Sequence, residues 1–304
     1  MRIFNISSSL TTNVVKHVQL QKMAGCETMT SYSSCGIPKY ASRKCGNMFA
    51  AANLQTLTDF ADFADVVIVH TSAGSAGLLD IDLGETPIIW ACHDYVPIHG
   101  VPKNLVSVIV PSFGYKDKFL AGFPRPANVI HRKVASEDWP AWSDKRINCT
   151  AIPGIISADK EKPYRNYSDA VEMLNGRIVL MAASRPAEDA TICPTMELAE
   201  PDTMMDNLAM FDTVWAGCGN NSITFDDIVN NKMHEGIAAG AVPILYRSRE
   251  MSEYADQYQC GITWNGSYPT PDEVYRCRKC IMENKRLHCL EFELPILNAI
   301  LSQI

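Results

Sequence analysis

The sequence predicts an α/β protein of two Rossmann-like lobes with a cleft between them. Three observations carry this reading. First, the short apolar runs DVVIVH and ETPIIWACHD do not alternate with polar residues, which marks strands buried on both faces of a parallel sheet. Second, stretches of helical periodicity separate such runs, giving the strand, helix, strand order of a parallel α/β unit. Third, this series runs once, is interrupted by DWPAWSDK with Pro140 and two tryptophans, and then starts again. The lobes are therefore expected at residues 1–140 and 141–304, and a chain of 304 residues with 47% hydrophobic and 20% charged residues is large enough for two cores.

The elements follow in order. MRIFNI reads as the first strand, and SSSLTTNVVKHVQLQKMAG as a capped helix with Val14, Val18 and Met23 on its apolar face and Gly25 at its end. CETMTSY is the second strand, residues 33–50 a loop with a short helix, and LQTLTDFADFA a further helix. DVVIVH and ETPIIWACHD both end in a histidine. In open α/β sheets ligands lie beyond the carboxyl ends of the strands, so His70 and His93 stand where chemistry is expected. For His70, a strand-end histidine bonded only to backbone is the competing reading. VSVIVPS, the helix FGYKDKFLAG and the short strand NVIHRKV complete the first series.

The second series opens with INCTAIPGI, the helix YSDAVEMLNG and the strand RIVLMAASR, which closes on Arg185. Residues 186–210 are poorly patterned. DTVWAGC is the next strand, and EMSEYADQYQ and CGITW form a later helix and strand. Between them TFDDIVNNKMHEGIAAGAVPILY predicts a helix opened by a capping box at Thr224 and Asp227, packed through Met233, Ile237 and Gly240, and closed by Gly240 before a buried strand. Glu235 lies close to the packed face of this helix, although the same pattern also suits an ordinary amphipathic helix with Glu235 in solvent.

Asp227 and Glu235 are spaced D-x7-E, Lys232 precedes the glutamate by three residues, and A-A-G-A-V-P-I-L follows. This resembles the donor signature of retaining GT-B glycosyltransferases, E-x7-E followed by A-x-G-x-P and a strand. His93-Asp94-Tyr95-Val96-Pro97 is similar to the strand-end H-D-x-x-P element of the same family. The resemblance implies a GT-B fold whose cleft receives a nucleotide-sugar donor, a co-substrate rather than a bound cofactor, with no metal required. It implies that Glu235 receives the ribose hydroxyls and that His93, Asp94 and Asp227 act at the transferred sugar. Arg185 would bind the diphosphate, since a guanidinium makes bidentate bonds to phosphate oxygens. No base stands at Pro186 to Ala190, where the family carries a lysine, and Lys232 is expected in its place. Leu10 to Asn13 likewise replace the family's Gly-Gly pair after the first strand.

The residue pattern disfavours several other classes. Eleven scattered cysteines fit reduced thiols better than a disulfide framework. Cys277, Cys280, His288 and Cys289 lie along one predicted helix and cannot close a tetrahedral zinc site from it. Asp80-Ile81-Asp82 has the D-x-D form of metal-dependent GT-A enzymes but follows a Gly/Ser loop and reads as a turn. MRIFNISSSL has no apolar h-region and no run approaches a membrane span, so a cytoplasmic protein is expected.

Charge is uneven. Residues 1–133 carry 12 Lys and Arg against 9 Asp and Glu, a net of +3, whereas residues 134–304 carry −10. Lys116, Lys118, Arg132 and Lys133 contribute to a basic stretch that would favour an anionic acceptor, with modified DNA as one candidate; an ordinary solvated face is the alternative. In its compact size the chain is similar to the small GT-B enzymes that glucosylate hydroxymethylated bases in phage DNA. The expected activity is sugar transfer from a nucleotide-sugar to a hydroxyl acceptor. A nucleotide-sugar 2-epimerase and a non-catalytic nucleotide-sugar binder are the alternatives.

Overall fold

The non-alternating apolar runs form the centres of two all-parallel sheets in the computed structural model of the chain, which describes residues 1–33, 39–50, 54–71, 76–93, 100–154, 167–182, 195–197, 201–217 and 229–304. The chain divides into two units by its contacts. One comprises Met1–Ala135 with Leu290–Ile304, the other Ser136–Cys289. The sequence division at 140/141 leaves the chain's last segment with the second lobe, whereas these contacts group it with the first.

In the first unit the elements run β1 (Arg2–Ser7), α1 (Thr12–Met23), β2 (Glu27–Tyr32), α2 (Lys39–Cys45), β3 (Met48–Ala50), α3 (Leu54–Phe63), β4 (Val66–Thr71), β5 (Ile88–Cys92), β6 (Leu105–Val110), α4 (Phe113–Phe119) and β7 (Ala127–Val129). The strand order is β3-β2-β1-β4-β5-β6-β7. The chain therefore winds outward in one direction from β1 to β3 and then returns to β4 on the other side of β1. The carboxyl ends of β1 and β4 border the crevice created by that reversal.

The second unit repeats the plan with β8 (Ile147–Gly154), α5 (Ser168–Met173), β9 (Ile178–Ala182), β10 (Thr195–Glu197), α6 (Pro201–Leu208), β11 (Phe211–Trp215), α7 (Asn231–Ala239), β12 (Val242–Leu245), α8 (Arg249–Tyr258), β13 (Ile262–Thr263), α9 (Pro271–Glu283) and α10 (Lys285–His288). Its order is β10-β9-β8-β11-β12-β13, so the reversal falls between β8 and β11. The helix expected to run unbroken through residues 273–293 is interrupted at Asn284, whose φ of −111° is not helical.

The last helix, α11 (Leu294–Leu301), belongs to the first unit. Its Leu297, Ile300 and Leu301 pack with Ile3, Ile68, Ile89 and Ile109 of the central strands. A buried ion pair fixes the segment that leads into it: Lys133 Nζ is 2.6 Å from Glu293 Oε1, with the two side chains 3% and 2% exposed. Glu293 also accepts a hydrogen bond from the His131 backbone N–H. Burial pushes the Glu293 carboxyl up, against the pull of Lys133.

Candidate functional site

Each unit carries a polar constellation at the carboxyl ends of its strands. In the first unit it grows from β1. Asn5 stands between Phe4 and Ile6 in the buried part of β1, and its side chain meets Gln21 of α1 in a reciprocal amide pair: Asn5 Nδ2 donates to Gln21 Oε1 at 2.8 Å, and Gln21 Nε2 donates to Asn5 Oδ1 at 2.9 Å. His70, near the end of β4, places Nε2 at 2.8 Å from Asn5 Oδ1 and Nδ1 at 3.0 Å from His93 Nε2. His17 of α1 stands edge-on to both rings, with centroids at 5.6 and 5.1 Å.

His93 follows β5 directly, and its backbone is held on both sides. Its N–H donates to the Thr71 carbonyl at 3.0 Å, extending the β4–β5 ladder, and its carbonyl accepts from Arg132 Nη2. All three histidines are buried and uncharged. Burial lowers His70 and His93 well below the ordinary histidine value, and burial, helped by the Arg132 charge, lowers His17 to about 3.

In the second unit the constellation is built on α7. Asn230 caps the helix with a side chain that accepts from the Met233 N–H at 3.1 Å, and Gly240 closes it in the left-handed conformation at φ 69°. The helix lies very close to the sheet. A Cβ on Gly236 would fall 2.2 Å from Val214 Cγ1 and 2.9 Å from the Ala241 carbonyl, so only glycine permits this approach. Lys232, in the first turn, lies over the Tyr167 ring with Nζ at 4.5 Å from its centroid and hydrogen bonds to the Tyr167 hydroxyl. Its Cε is 3.4 Å from where a Cβ on Gly154 would stand, which sets the lysine at the carboxyl end of β8. Glu235, one turn on, is 8% exposed. A cation and a carboxylate thus occupy the opening of a helix beside the reversal of the second sheet, where the helix dipole favours anions.

No protein-family model matches the sequence, and no curated protein matches it. Solved structures do. AviGT4, a glycosyltransferase involved in avilamycin A biosynthesis, matches with a TM-score of 0.70 at 13% identity over 99% of this chain and 96% of its own. A glycosyltransferase from Rickettsia africae ESF-5 matches with a TM-score of 0.67 at 12% identity, over 100% of this chain and 99% of its own. An alpha-glucosyltransferase in complex with UDP and a 13-mer DNA containing an HMU base matches with a TM-score of 0.65 at 11% identity, over 97% and 93%. The chain has a glycosyltransferase fold of the GT-B type.

Placed on this glycosyltransferase fold, the residues singled out in the sequence divide into three groups. His93, Lys232 and Glu235 lie at carboxyl strand ends or on the helix beside them. Asp94, Arg185 and Asp227 fall outside the described residues. Of the basic stretch, Lys118 is exposed and Lys116 is partly so, but Arg132 and Lys133 are corrected: they are 8% and 3% exposed. Arg132 is spent on the His93 carbonyl and Lys133 on Glu293, so neither presents a charge to an acceptor surface.

Two further expectations change. Thr224 and Asp227, where the helix was expected to open, lie outside the described residues, and α7 itself opens at Asn231 after Asn230, whose extended backbone, φ −87° and ψ 162°, no helix can run through. His70 bonds to two side chains, Asn5 and His93, and does not end on backbone. Asp82 Oδ1 accepts from the Gly84 N–H at 3.1 Å, which is turn geometry, as its sequence suggested. Asn5, His17, Gln21 and Tyr167 went unremarked in the sequence. Asn5 within MRIFNI and the polar run Lys16, His17, Gln19 and Gln21 within a core helix were the available signals.

Proposed function

We propose that this protein transfers a sugar from a nucleotide-sugar donor to a hydroxyl acceptor. The observation that carries the reading is the pairing of Lys232 and Glu235 on α7, beside the end of β8 and within a fold whose solved neighbours are glycosyltransferases. In this reading the Lys232 ammonium and the Arg185 guanidinium offset the negative charge that grows on the departing diphosphate, which stabilises the transition state more than the bound donor. Glu235 accepts hydrogen bonds from the vicinal ribose hydroxyls, a pairing that suits a carboxylate because one group can take both donors. His93, Asp94 and Asp227 orient the sugar. A uridine diphosphate donor is favoured, since one solved neighbour, the alpha-glucosyltransferase, holds UDP.

An anionic acceptor, with hydroxymethylated DNA as the first candidate, is the finer part of the proposal. It rests on Lys116 and Lys118 of α4 and on the DNA held by that one neighbour. Incubation with UDP-glucose and other nucleotide-sugars, with and without a duplex carrying a hydroxymethylated base, tests both parts. Release of nucleoside diphosphate from some donor, abolished or reduced by Lys232→Met, supports the donor reading; its absence from the folded chain with every donor overturns it. Label appearing in the duplex supports the DNA reading, and label appearing only in neutral acceptors replaces it.

A further inference from the structure

We propose that Asn5 and His70 form a tautomer-setting relay that holds His93 with its Nδ1 as a hydrogen-bond acceptor for a substrate hydroxyl. The inference deepens the proposed function and rests on the reading that His93 acts on a polyhydroxylated substrate.

The direction of the relay follows from four contacts. The orientation of the Asn5 amide is decided first, because its Nδ2 lies 3.5 Å from the Met29 carbonyl. Turning the Asn5 and Gln21 amides over together would preserve their reciprocal bonds but would set two oxygens against each other at Met29. Asn5 Oδ1 is therefore the atom facing His70, and a carbonyl oxygen only accepts, so His70 Nε2 carries the proton. His70 is uncharged, which leaves its Nδ1 bare. Nδ1 of His70 then accepts, and His93 Nε2, at 3.0 Å, must be the donor. His93 is uncharged as well, so its single ring proton is used in that bond and its Nδ1 keeps a lone pair.

The surroundings keep the ring from escaping this state. Asn5, Gln21 and His70 are essentially without solvent exposure, so breaking any link would leave a buried polar group unpaired. The edge of His17 against both imidazoles blocks rotation, and the His93 backbone is pinned by Thr71 and Arg132. An acceptor nitrogen at the end of β5 suits a sugar hydroxyl, which can donate to it. Asn5 and His70 are positioning residues here, since they act through His93.

The test uses the full-length chain with nitrogen-15-labelled histidine. Long-range proton–nitrogen correlations of the wild-type rings should show His93 as the Nε2–H tautomer with an unprotonated Nδ1, assigned by loss of its signals in His93→Gln. His70→Leu, which cannot accept the His93 proton, should release the tautomer and lower kcat for the nucleotide-sugar about tenfold with a smaller change in KM. His70→Gln should recover most of that loss, because a glutamine amide can accept from His93 and donate to Asn5 at once. Wild-type His93 protonated on Nδ1 overturns the relay whatever the kinetics show, and it does so even if His70→Leu fails to fold. Equal losses in folded His70→Leu and His70→Gln overturn it too. The tautomer is read without turnover, so a chain with the expected tautomer and no activity on any nucleotide-sugar would count against the proposed function and not against the relay.

Discussion

Reversing Lys133 to glutamate should unfold the first unit and leave any acceptor surface untested. In the native chain Lys133 Nζ is 2.6 Å from Glu293 Oε1, both side chains are nearly free of solvent, and the Lys133 ammonium also lies 4.5 Å from the centre of the Phe292 ring. Removing one member of a buried pair costs about 3–5 kcal/mol, because the other charge is left desolvated and uncompensated. A second carboxylate at the same place adds repulsion to that loss. Against a total of about 5–15 kcal/mol for a typical domain, this is a large share of the stability. Lys116→Glu and Lys118→Glu, on the outer side of α4, should each change stability by less than about 0.5 kcal/mol. Urea unfolding followed by Trp90, isolated by difference from a Trp90→Phe chain, reads the first unit, because Trp90 lies within β5 and the other tryptophans lie in the second unit. A Lys133→Glu midpoint within about 1 kcal/mol of wild type would refute the ion-pair argument. The Lys116 and Lys118 reversals then give a clean acceptor assay: with a DNA acceptor they should weaken use of the duplex and flatten its salt dependence, whose slope is about −0.9 per phosphate neutralised.

Further outcomes follow from the same geometry. Lys232→Met keeps the stem against Tyr167 and removes the charge, so UDP affinity measured by calorimetry should fall about 10- to 100-fold with an unchanged unfolding midpoint; unchanged affinity would remove Lys232 from the donor site. Gly236→Ala should cost about 1–3 kcal/mol by lifting α7 off Val214, and should weaken UDP binding as well, because Lys232 and Glu235 ride on that helix; a variant of native stability would contradict the close approach. His17, His70, His93 and His131 all have folded values below the unfolded value of about 6.5, with His17 and His131 at about 3. The unfolded chain therefore takes up more protons as pH falls below about 6.5, and stability present above that pH should be lost toward pH 3, at roughly 1–2 kcal/mol per pH unit for each histidine. Urea midpoints that stay level from pH 7.5 to pH 5 would contradict the neutral cluster.

Most of the fold was legible because parallel strands buried on both faces leave apolar runs, and β4, β5, β9 and β12 announce themselves in that way. The edge strands β3 and β10 are three residues long and too short to carry a period. The short helix α6 lies in the same poorly patterned stretch as β10. The Asn230 cap of α7 was not read from the sequence, where the capping-box pattern at Thr224 and Asp227 drew the helix start to residues outside the described ones. Of the candidate site, the placement of His93 after β5 and of Lys232 and Glu235 on one helix was legible through motif spacing. Arg132 and Lys133 were misjudged because a charge count along the chain cannot see a partner such as Glu293, whose carboxylate meets this segment from 162 residues beyond His131. The amide pair that directs the histidine relay was hidden for a related reason: Asn5 and Gln21 are unremarkable until β1 and α1 are packed together.

Whether α7 of the second unit holds a nucleotide-sugar donor is decided by calorimetric titration of UDP into the wild-type chain and into Glu235→Ala. UDP should bind the wild type saturably, with a loss of about 1.5–3 kcal/mol, roughly 10- to 100-fold in Kd, in a Glu235→Ala chain that unfolds at the wild-type midpoint. Absence of UDP binding to the folded wild type, or an unchanged Kd in the folded variant, would contradict donor binding at α7.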